Sequence, residues 1–302
     1  MDCRLHPQGV MSFIHIQSRW GAKLLTLICI VVLQGVLHPL QAQSYEEWVD
    51  RAVKAVEVDS LKQAVEALRH AVQVDPAHAH NVWLYTNMGT LQGALQRWDE
   101  AIESYTFALN VAPYHLPALL GRASAYMETG RLELARVDYA LVLDKEPENE
   151  KALLMRAYIY KVRREYKFSK VDYDRLLKLH PDHFEARLGL ALLLQAEGEK
   201  EEAVRQLNLL ITGSKGDAER LKMLYRARAE VEWERGRYDT ALMDVEESLH
   251  IDNKQAEAYL LRGQIYLSQG KKSQAKRDLQ KAQQLGISPI EAFNIKLKMT
   301  AH

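Results

Sequence analysis

Only two cysteines occur in the 302 residues, Cys3 and Cys29, both within the first 42 positions. The rest of the chain therefore offers no disulfide, no thiolate metal site and no thiol nucleophile. Net charge is missing as well: Lys plus Arg equal Asp plus Glu at 40 each, and the leading 42 residues remove only Asp2, Arg4, Arg19 and Lys23 from that balance. A neutral chain has no long-range field to hold a phosphate backbone or an anionic bilayer, which argues against nucleic acid as a partner. Catalytic signatures are lacking too. "TGSKGD" has a lysine without the glycine spacing of a phosphate loop, and neither His-Glu-x-x-His nor Gly-x-Ser-x-Gly occurs. The expectation is a protein that is not an enzyme and uses no cofactor or metal.

Long apolar runs are scarce. "LLTLICIVVLQGVL", Leu24 to Leu37, falls short of the roughly 20 residues a spanning helix needs, and Pro39 follows it closely. Sparse basic residues before it and "HPLQA" after it fit a secretory signal peptide over 1–42, cleaved after Ala42. Leu27 and Ile28 before Cys29 do not resemble the small residues that precede a lipid-modified cysteine. The mature protein is expected outside the cytoplasm, most simply in a periplasm, with no stable membrane anchor.

What the chain does contain is repetition. Small residues recur at Ala64, Ala101, Ala135, Ser169, Ala203, Ala241 and Ala275, and twelve residues before each stands another: Ala52, Gly89, Ala123, Ala157, Ala191, Ala229 and Gly263. Paired small residues let two antiparallel helices approach closely while bulky neighbours interlock around the contact. Those neighbours are present four residues after the second small position, as Leu68, Tyr105, Tyr139, Tyr173, Leu207, Val245 and Leu279. Three residues after the first small position most residues are apolar, with Gln92 and Glu232 as exceptions. Gly130, Gly198, Gly236 and Gly270 mark the turn inside a unit, with Gln96 and Arg164 near that position in two others. Pro76, Pro113, Pro147 and Pro181 mark the ends of second helices.

In these residues the chain resembles the tetratricopeptide repeat family, whose helix-turn-helix unit has this spacing. The resemblance covers about 45–287 as seven units. It implies an all-α, right-handed superhelical solenoid, with units 1 to 5 over 43–211 and units 6 and 7 over 222–287. Between them "ITGSKGDAER" adds four residues and has no proline, so 212–221 is expected to be a longer loop and a candidate joint. Ser288, Pro289 and Glu291 start a C-terminal capping helix over 288–302.

Two histidine pairs, His78 with His80 and His180 with His183, fall in inter-repeat turns and have no third close ligand in sequence, so no metal is expected there. The run "YIYKVRREYKFSKVDY", 158–173, mixes core tyrosines with cations around a turn; a solvated turn is expected, with room for a local contact to an acidic partner.

The resemblance also places a binding groove on the first helix of each unit. Carried over position by position it comprises Thr86, Asn87 and Thr90; Leu120, Ser124 and Met127; Leu154, Tyr158 and Lys161; Leu188, Leu192 and Gln195; and Arg226, Glu230 and Trp233. Relatives that clamp a terminal carboxylate use Lys and Asn where Thr86, Leu120, Leu154, Ser124 and Tyr158 stand here, so no such clamp is expected. The lining instead suits an apolar peptide or helix. The expected function is a protein-binding scaffold or adaptor; the alternative is a self-associating subunit of an envelope assembly.

Overall fold

The structure, a computed structural model, describes residues 39–288, with side chains from Ser44 onward. The signal-peptide expectation and the capping helix lie outside the described residues for 1–38 and 289–302. Among the described residues there are fourteen α-helices and no strand. They divide into two compact units between Lys145 and Glu146.

The first unit holds α1 (Pro39–Glu57), α2 (Leu61–Val74), α3 (Asn81–Ala94), α4 (Trp98–Val111), α5 (Leu116–Glu128) and α6 (Leu132–Lys145). The second holds α7 (Glu150–Val162), α8 (Tyr166–Leu179), α9 (Phe184–Glu197), α10 (Lys200–Gly213), α11 (Ala218–Glu234), α12 (Tyr238–Ile251), α13 (Ala256–Ser268) and α14 (Lys272–Gln284). Helices pack mainly as consecutive pairs, α1 on α2 through α13 on α14.

Each pair closes on its small residues. All fourteen are buried. In α7–α8 the contact is direct: the Ser169 hydroxyl donates to the Ala157 carbonyl at 2.7 Å. The large residues one turn further on fill the space beside it, and Tyr139 and Tyr173 are 0% and 2% exposed. Burial pushes the Tyr139 hydroxyl up to about 12, so it stays neutral at any physiological pH.

The turns follow from backbone sterics. Gly130, Gly198, Gly236 and Gly270 have φ between 72° and 88°, and Gln96 and Arg164 adopt the same left-handed conformation at 59° and 61°. The second helices end two residues before their prolines, at Val74, Val111, Lys145 and Leu179. Proline excludes the α region for the residue before it, and Asp75, Ala112 and His180 are accordingly out of helical geometry.

The two polar exceptions at core positions are both satisfied. With its amide turned so that nitrogen faces acceptors, Gln92 donates to the Met88 and Glu100 carbonyls and to the Ser104 hydroxyl. Glu232, 4% exposed, is held by Arg235 at 3.0 Å.

The inserted residues in 212–221 do not make a longer loop. Only 214–217 separate α10 from α11, and the insertion is taken up by α11, which at 17 residues is longer than α10 at 14. Asp217 makes this possible: its carboxylate accepts the Arg220 N–H at 3.0 Å and caps an additional helical turn. This segment lies inside the second unit.

Candidate partner-binding face

In the first unit the expected lining mixes hydroxyls that are bonded within their own helices with two apolar residues. Thr86 is buried at 5% exposure and its hydroxyl donates to the Val82 carbonyl at 2.7 Å, so it presents no free group to a ligand. Thr90 is exposed, with its hydroxyl shared between the Thr86 carbonyl at 3.0 Å and Tyr105 at 3.2 Å. Ser124 donates to the Leu120 carbonyl at 2.8 Å. Asn87, Leu120 and Met127 are half-buried.

The second unit differs. Leu154, Tyr158, Leu188 and Leu192 are half-buried on α7 and α9, two neighbouring first helices, and give an apolar surface open to solvent. Lys161 lies over the Tyr158 ring at 5.5 Å, and desolvation pushes its ammonium below the usual lysine value. Burial raises the Tyr158 hydroxyl. Three other expected residues bridge successive first helices. Gln195 donates to Glu234 at 3.0 Å, Arg226 to Glu257 at 3.3 Å, and the Trp233 indole to Ser268 at 2.9 Å. Their polar groups fix the spacing of the lining; the ring of Trp233 remains half-buried. Glu230 is left between Glu234 and Arg226, with its carboxyl raised first by desolvation and then by Glu234.

Both units also contain a feature that the sequence reading missed. Four pairs contain the same bidentate bridge, Arg122 to Asp138, Arg156 to Asp172, Arg228 to Asp244 and Arg262 to Asp278, with two N–H donors on each carboxylate at 2.6–2.8 Å. A constant separation of sixteen residues is the signal that would have found it. In two cases the remaining nitrogen reaches the preceding second helix, Arg122 to Thr106 at 3.2 Å and Arg228 to Asn208 at 2.6 Å, locking one repeat to the one before it. These groups are structural.

The histidine pairs also have structural partners. His78 stacks on Tyr45 at 4.1 Å and accepts the His80 N–H. His183 caps α9 by accepting the Ala186 N–H, and His180 approaches Glu150 at 2.7 Å. Among the described residues no cluster of three His, Cys, Asp or Glu is arranged to hold a metal ion, and no helix is long and apolar enough to cross a membrane.

Comparison with known proteins settles the family. Residues 86–150 match the tetratricopeptide repeat, and residues 174–301 match the tetratricopeptide repeat-like domain. A solved tetratricopeptide repeat protein from Parabacteroides merdae is 34% identical, with a TM-score of 0.69 over 85% of this chain and 99% of its own. The chain belongs to the tetratricopeptide repeat family. DnaJ homolog subfamily C member 7 from Homo sapiens is similar over 87 residues at 37% identity, which is 28% of this chain; the match spans only 18% of that relative. The pilF structure from Pseudomonas aeruginosa, at 13% identity and a TM-score of 0.57 over 72% of this chain and 98% of its own, shares the fold. A tetratricopeptide repeat architecture is consistent with a scaffold for protein–protein interaction.

Proposed function

We propose that this repeat protein acts outside the cytoplasm as a non-enzymatic adaptor, and that the first-helix face of its second unit holds an apolar peptide or helix of a partner protein. The observation that carries this reading is the group Leu154, Tyr158, Leu188 and Leu192, half-buried and apolar on two adjacent first helices, while Gln195, Arg226 and Trp233 of the same lining are bonded to the next first helix. Apolar side chains left accessible on adjacent helices are what helix-in-groove recognition requires. The first unit contributes less, since its threonine and serine hydroxyls are turned back on their own helices. Export rests on the composition of the first 42 residues.

Replacing Leu188 and Leu192 together by serine in the full chain tests the reading. Loss of the copurifying partner with unchanged helicity is expected, and retention of that partner would overturn it. The alternative, self-association, predicts instead a mass that rises with concentration in light scattering and falls in the same double variant.

A further inference from the structure

The outward surface of α8 differs from those of the other second helices. Phe168 and Val171 are 61% and 63% exposed, with the Phe168 ring resting on Tyr160 at 5.4 Å. Arg164 and Lys167 flank them on one side, Arg175 and Lys178 on the other, and all four are exposed. The helical spacing of Lys167, Phe168, Val171, Arg175 and Lys178 puts them on one strip about 17 Å long, at about 1.5 Å per residue, with Arg164 in the turn that precedes the helix. On α2, α6 and α10 such cations are neutralised one turn away, as Arg69 is by Glu66, Arg136 by Glu133 and Arg205 by Glu202, and the exposed cations of α14 have no exposed large hydrophobic among them. Here, among the described residues, none of the four has a carboxylate within salt-bridge distance, although Arg163 pairs with Glu165 at 2.7 Å and Lys170 with Glu199 at 3.8 Å.

We propose that this strip, on the opposite helix of the repeat from the first-helix face, docks an acidic helical segment of a protein, with an apolar residue against Phe168 and Val171 and carboxylates near both ends. Charge complementarity selects the occupant: cations gathered at the two ends of an apolar centre match a helix of similar length carrying acids in its first and last turns. An anionic bilayer fits less well, because it would press against exposed Asp174 within the strip and would gain nothing from the separation of the cations.

The full-length chain is titrated, by fluorescence anisotropy, into a labelled helical peptide of about five turns with glutamates at both ends and leucines in the middle. A second peptide of the same composition has the glutamates dispersed through the centre. Saturable binding of the first is expected, weakened by about tenfold or more in F168S and in K167E/K178E and unchanged in M243S, which alters an exposed residue of α12. All three variants change exposed side chains, and an unchanged melting temperature checks that each is folded. Equal affinity for both peptides, insensitivity to F168S and K167E/K178E, or an equally Phe168-dependent cosedimentation with phosphatidylserine vesicles would each overturn the proposal.

Discussion

Helix pairs α7–α8 and α9–α10 stand side by side in one compact unit and reach the same packing by different chemistry. The first closes with Arg156 and Asp172 in a bidentate bridge over Ala157 and Ser169. The second has Leu190 and Gln206 at the same two positions, over Ala191 and Ala203, and Gln206 instead accepts from Arg187 at 2.8 Å. Their turns differ too, with Arg164 in one and Gly198 in the other at the same left-handed conformation. Both pairs nevertheless bury their small residues to 1% exposure or less. The fold is therefore specified by the small positions and the large side chains beside them. The ion pair is a variation carried on that frame.

The comparison breaks most readily at the small residues. Ala157→Leu has no space to enter, since Ala157 is fully buried and its carbonyl takes the Ser169 hydroxyl. We expect about 3 kcal/mol of destabilisation from overpacking, read by urea denaturation; a loss under about 1 kcal/mol would mean that the frame is not set there.

The ion pair gives the next effect. Asp172→Ala should cost about 2 kcal/mol, less than the 3–5 of a fully buried pair because the Arg156 side chain is still 20% exposed. Replacing both partners by apolar side chains, R156L with D172L, should come within about 1 kcal/mol of the parent, since neither a charge nor an unpaired polar group is stranded. A double variant as unstable as Asp172→Ala would show that the bridge defines the fold.

The turns sharpen the comparison with opposite signs. Arg164→Gly should stabilise by about 1 kcal/mol, and Gly198→Arg should destabilise by a similar amount, because only glycine adopts that conformation without strain. Thermal melts of both variants check this. Surface pairs should matter least. Arg205→Ala loses an exposed contact to Glu202 and should cost about 0.3 kcal/mol, whereas Lys178→Ala should leave the melting temperature unchanged.

Much of this architecture is legible in the sequence because it depends on volume and spacing. The small pairs, the tyrosines at 105, 139 and 173 and the proline-limited helices all follow from how helices pack and end. Three features were not legible, each for a physical reason. Insertion length in 212–221 does not say whether added residues extend a loop or a helix, and the Asp217 cap decided for the helix. Gly121 and Gly189 look like ordinary helical glycines until the partner rings are placed. A Cβ on Gly189 would lie 2.5 Å from Cζ of Tyr173, and one on Gly121 would lie 2.4 Å from Cζ of Tyr105. The candidate site was the least legible, because a first-helix position can face a ligand or bond to the next helix. Trp233 and Gln195 have such bonds, Thr86 is buried, and Leu188 and Leu192 are left half-exposed.

Site-specific photocrosslinking in the native cells tests the central claim most directly, with a photoreactive residue placed at Tyr158 in one strain and at Met243, on the exposed surface of α12, in another. The account predicts one defined protein adduct from position 158 that is absent from position 243. The same adduct from both positions, or none from 158, would contradict a partner held on the first-helix face.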